Sequence, residues 1–168
     1  MKLFKKRNNK GFSLVELIVV VAIMAVLLGV LVPTLIRHVE SSKLGKDKQA
    51  IDNVKEAIEI ALANEKYMAF ELDGNLYNEG NIDLSKLSAA ITSTGITDTD
   101  KSNAAKAAFV TEVKKNLGEK DTIALTSKLT KTSGATSTTI TVKVENCVCK
   151  IVVAAAAEDG DYDFTVGE

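Results

Sequence analysis

The sequence predicts an α+β fold: one long N-terminal helix packed on a C-terminal antiparallel sheet of three or four strands. Three patterns carry that expectation. Residues 11–36 (GFSLVELIVVVAIMAVLLGVLVPTLI) are almost unbroken apolar chain. Leu44, Ile51, Val54, Ile58, Ala61 and Leu62 then recur at helical spacing among Lys, Asp and Glu. Residues 139–153 alternate apolar and polar side chains, as a half-buried strand pair does.

The apolar stretch comes first. From 17 to 36 there are twenty residues without a formal charge. At about 1.5 Å per residue, a helix of that length covers roughly 30 Å, the thickness of a bilayer core. Five basic residues precede it (Lys2, Lys5, Lys6, Arg7, Lys10), with no acid among them. Such a leader is retained on the cytoplasmic side, which turns the C-terminal bulk outward. A secretory signal has a shorter apolar region, about 7–15 residues, and ends at an A-x-A-like site. Here the run flows into PTLIRHVESSK without one. One acid, Glu16, sits near the start of the stretch, and carboxylates within membrane segments are costly and usually functional.

Lys10-Gly11-Phe12-Ser13-Leu14-Val15-Glu16 resembles the processing motif of type IV prepilins. The resemblance covers about residues 6–36, with weaker support to 66. It implies that a membrane prepilin peptidase/methyltransferase cuts between Gly11 and Phe12 and N-methylates Phe12. It also implies that Glu16 is the family's assembly glutamate, pairing with the Phe12 amine of an adjacent subunit, and that Pro33 is its helix-kinking proline. Gly29 and Pro33 mark a stretch where the helix either kinks or melts on polymerisation. The chain divides accordingly into a cleaved leader (1–11), a transmembrane or filament-core half-helix (12–36) and a head (37–168). Within the head, an amphipathic helix runs to about 66, a variable loop with short helices spans 67–120, and the sheet occupies 121–168.

The helix is expected over about 12–66. Asp73-Gly74-Asn75 and Asn78-Glu79-Gly80-Asn81 are loop signals. Asp83 can cap a short helix through Ala90, and Thr99 or Asp100 a second one that ends before Gly118. Ile123, Leu125 and Leu129 suggest a strand over about 122–129. Residues 131–138 form a polar loop; the Ser/Thr-rich 126–139 could accept O-linked sugar, though no Asn-x-Ser/Thr sequon occurs. A two-residue turn at Glu145-Asn146 places Val144 opposite Cys147, Val142 opposite Cys149 and Ile140 opposite Ile151, all on one face. Both cysteines are then buried free thiols. The distant C-terminal cysteine pair that closes a loop in many related pilins is missing. Asp159-Gly160 signals a second hairpin, followed by alternating Tyr162, Phe164 and Val166.

Charge and motif content narrow the function. The formal net charge is −1, and removing residues 1–11, with five basic and no acidic side chains, takes it to −6. That balance argues against a general nucleic-acid grip; Lys106, Lys114, Lys115 and Lys120 read as a solvated helix face. Glu158, Asp159, Asp161 and Asp163 lack the spacing of a calcium loop of the EF-hand kind and read as a charged turn. No P-loop, G-x-S-x-G or H-E-x-x-H is present, and the single histidine, His38, adjoins the apolar run. Neither an enzyme nor a cofactor or metal is expected.

The expected function is that of a major type IV pilin, a filament subunit in adhesion, surface motility or biofilm. Its implied partners are further copies of itself, the peptidase, the membrane before assembly, and an inner-membrane platform with ATPases. It begins in the cytoplasmic membrane, N-terminus inside, and ends in a surface pilus. The alternatives are a pseudopilin of a type II secretion or DNA-uptake system and, from another class, a single-pass surface binding protein.

Overall fold

The structure is a computed structural model that describes residues 12–127, 138–154 and 164–167. The chain divides into two units, Met1–Val39 and Glu40–Glu168. The long helix α1 (Leu14–Leu62) contributes to both.

In the first unit α1 is rich in Val and Ile, residues that lose side-chain freedom in a helix. An apolar run shielded from water can satisfy its backbone groups only within a helix, which outweighs that cost. It starts two residues later than the sequence suggests and runs unbroken through Gly29 and Pro33.

In the second unit α1 is amphipathic. Ile51, Val54, Ala57, Ile58, Ala61 and Leu62 are buried, and the helix ends at Leu62 rather than about 66. The described residues that follow form β1 (Glu71–Asn75), β2 (Tyr77–Asn78), β3 (Asn81–Asp83), a 3-10 turn (Leu84–Lys86), α2 (Leu87–Ala90), β4 (Ile91–Ser93) and α3 (Thr99–Asn116). They continue with β5 (Thr122–Ala124), β6 (Thr139–Glu145), β7 (Val148–Ala154) and β8 (Phe164–Val166). The main sheet has five antiparallel strands in the order β4-β1-β6-β7-β8, and a smaller one has the order β2-β3-β5. The inward side chains Leu72, Ile140, Val142, Val144, Cys149, Ile151 and Val153 share one core with the buried face of α1. Tyr67, Phe70 and Phe109 close it with ring centroids 5.3 Å apart.

The sheet is larger than the three or four strands expected because residues 71–93 supply strands. Asp73-Gly74-Asn75 is not a loop but part of β1. Its glycine serves close packing: a Cβ on Gly74 would lie 2.5 Å from that of Ala90 in α2. Asn78-Glu79-Gly80-Asn81 does turn the chain, with φ of 43° at Glu79 and 85° at Gly80. Asp83 does cap the following turn, accepting from the amide and hydroxyl of Ser85. The Ser85 hydroxyl is the main cause holding the Asp83 carboxyl below its ordinary value. The cap of α3 is Asp98, which accepts from the amides of Asp100 and Lys101, rather than Thr99 or Asp100. The strand expected over 122–129 stops at Ala124.

The β6–β7 hairpin corrects another expectation. Its turn is Asn146-Cys147, with φ of 52° and 64°, so Val144 pairs with Cys149, Val142 with Ile151 and Ile140 with Val153. The register slides by two residues, which preserves the inward face but moves Cys147 into the turn. Cys147 is exposed and Cys149 buried; both are free. Burial, the largest cause, pushes the Cys149 thiol up to about 12. The Asp159-Gly160 hairpin, Tyr162, the acidic group at 158–163 and most of the Ser/Thr-rich stretch lie outside the described residues. Among the described residues no cluster of His, Cys, Asp or Glu could hold a metal.

Candidate functional site

The candidate site is the exposed surface and N-terminal end of α1. Every residue from 12 to 39 is exposed. Phe12 is 77% exposed, Leu14 72% and Val30 74%, in a run long and apolar enough to cross a membrane. So much contiguous apolar surface requires lipid or other protein against it. The lysines of α3 offer no comparable surface: Lys106 donates to the carbonyl of Ile91 and Lys114 pairs with Asp121 at 2.6 Å.

At the N-terminal end, the amide of Leu17 donates to the carbonyl of Ser13, 3.3 Å away. Ser13 is therefore the N-cap, and Glu16 the third residue of the first turn. The Glu16 carboxylate accepts from the Ser13 backbone amide through Oε2 at 2.9 Å. This is the glutamate half of a capping box, S-x-x-E. The expected pairing of Glu16 with Phe12 is one between subunits; within one copy, the described partner is Ser13. The capping box was readable in Ser13-Leu14-Val15-Glu16 and is absent from the sequence expectations above. Gly11 lies outside the described residues.

Gly29 and Pro33 sit four residues apart inside α1. Proline has no amide hydrogen, so the carbonyl of Gly29 lacks its usual intrahelical donor. Nothing lies within 4 Å of where a Gly29 Cβ would be, and the Thr34 hydroxyl donates back to the Val30 carbonyl at 3.4 Å. Such a back-bond is a modest bending influence. The stretch thus lacks one backbone hydrogen bond of the helix.

Within the head, Asp47 of α1 is 2% exposed and accepts from the amides of Thr126 and Ser127 at 2.9 and 2.8 Å. This contact, which no local sequence pattern anticipates, joins residues some eighty positions apart and ties the chain beyond β5 to α1.

Comparison with known proteins adds to this geometry. Residues 6–32 match the family model of the prokaryotic N-terminal methylation motif. The chain is 35% identical over 85 residues to the prepilin peptidase-dependent protein A of Clostridium perfringens, covering 49% of this chain and 61% of that protein. No solved structure matches. The matched motif encloses Phe12, Ser13, Glu16 and Gly29, and stops one residue short of Pro33. Together, the motif, the relative and the exposed apolar helix support a type IV pilin-like protein.

Proposed function

We propose that the chain is the major structural subunit of a type IV pilus. The observation that carries this is the end of α1: a helix exposed along its whole apolar length, with one acid in its first turn and a methylation motif over its start. Prepilin peptidase removes residues 1–11. The new Phe12 amine, with a reference pKa of about 7.7–8.0, is cationic and remains so after methylation. Residues 12–36 hold the subunit in the cytoplasmic membrane, head outward, until an inner-membrane platform and its ATPases extract it. Lipid and neighbouring helices are similarly apolar, so transfer between them provides little net drive. Specificity then falls to the charges. Glu16 of one subunit meets the Phe12 amine of another, and leaving either charge buried alone costs about 3–5 kcal/mol. Gly29–Pro33 supplies the segment that opens as the fibre extends.

Adhesion, surface motility and biofilm are the roles such a fibre serves. A pseudopilin would carry the same motif and helix but build only a short fibre. Electron microscopy with an antibody to residues 70–168 separates the two: long labelled surface fibres support the pilus, and their absence under conditions of high expression contradicts it. Glu16→Ala is expected to leave the protein inserted at normal levels while fibres are lost; normal fibre yield from that variant would refute the charge pair.

A further inference from the structure

The geometry points to Ser13 as the positioning residue for Glu16: its backbone amide holds one carboxylate oxygen and leaves the other for the amine of the next subunit. This rests on the filament reading above and adds to it the orientation of the acid.

The argument begins with valence. A carboxylate has two oxygens and about four acceptor positions. Oε2 is engaged by the Ser13 amide at 2.9 Å. Oε1 has no partner among the described residues. An ion placed in a low-dielectric shaft is tolerated only if its remaining lone pairs are also bonded. Ser13 supplies one such bond within the same chain, before any neighbour arrives. The side chain is then held in one orientation, so less conformational freedom is lost when the amine docks.

Processing leaves this contact intact. The peptidase breaks the Gly11–Phe12 bond; the donor belongs to the Phe12–Ser13 peptide bond, which survives. The amine and the acid are therefore both tied to one short segment, Phe12 by the chain and Glu16 by the cap. Side-chain length follows as a requirement. At the third position of a helix, Glu or Gln reaches back to the N-cap amide, and Asp is one methylene shorter. Gln keeps the acceptor and loses the charge, whereas Asp keeps the charge and loses the reach.

The two variants separate the roles. The full-length processed chain in detergent micelles would be followed by hydrogen exchange at the Ser13 amide, and fibre yield would be measured on cells. Ser13 exchange is expected to be about tenfold slower in the wild type and Glu16→Gln than in Glu16→Ala and Glu16→Asp, as a hydrogen bond worth about 1.4 kcal/mol implies. Fibres should be reduced in Glu16→Asp despite its charge. Equal Ser13 exchange in wild type and Glu16→Ala, or full fibre yield from Glu16→Asp, overturns the positioning role. Full fibre yield from Glu16→Gln overturns instead the charge pair on which it rests.

Discussion

The two stretches of α1 obey different rules. From Leu14 to Val39 every residue is exposed, including eighteen large apolar ones spread around the helix; beyond Glu40 the apolar residues are confined mainly to one buried face. The first stretch has no core of its own and needs an environment supplied from outside the subunit. The second is completed by the strands and helices of the head. The same helix thus carries one exposed apolar surface that the core of the head does not use and another whose substitutions affect folding.

Paired truncations test that division with the largest expected effect. Ile58→Ala removes a fully buried side chain and should destabilise the head by about 2–5 kcal/mol. Leu28→Ala, at a position 54% exposed, should leave head unfolding unchanged. Denaturant midpoints of the full-length protein in micelles provide the comparison, and equal shifts would break it. Asp47→Ala comes next. It strands the amides of Thr126 and Ser127 and should cost about 1–3 kcal/mol in the same assay.

The two cysteines sharpen the contrast at a finer scale. One thiol per chain, Cys147, should react with a maleimide in the folded protein, and Cys149 only on unfolding. The Cys149 thiol rises from 9.0 to about 12 on burial, so the unfolded chain loses that proton first. Stability should therefore decline as pH rises from about 9 toward 12. The smallest effect belongs to Cys147→Gly. It relieves a left-handed backbone at φ 64° and should stabilise the hairpin by up to about 1–2 kcal/mol, seen as a small rise in Tm.

What was legible in the sequence follows from range. The membrane-length helix, the inward face of its second half, the Asp83 cap and strands β6 and β7 depend on residues close in sequence, and local periodicity displays them. Gly74 misled because a glycine in a strand and a glycine in a loop look alike until Ala90 is seen packed against it. The hairpin register moved by two because Asn146 and Cys147 both adopt positive φ, a choice that strand alternation alone does not resolve, since either turn buries the same face. Asp47 looked like one more surface charge on an amphipathic helix; its partners lie some eighty residues away. At the site itself, the motif around Gly11, Phe12 and Glu16 is visible in the sequence, while the bond from Ser13 to Glu16 depends on the place of the acid in the first turn, three residues after the cap, rather than on its charge.

The most direct test of the central claim is the mass of the N-terminal peptide from protein sheared off the cell surface. A peptide beginning at Phe12 and carrying one methyl group on its amine is the expected result. A peptide beginning at Met1 would contradict it, because no free amine would then exist beside Glu16.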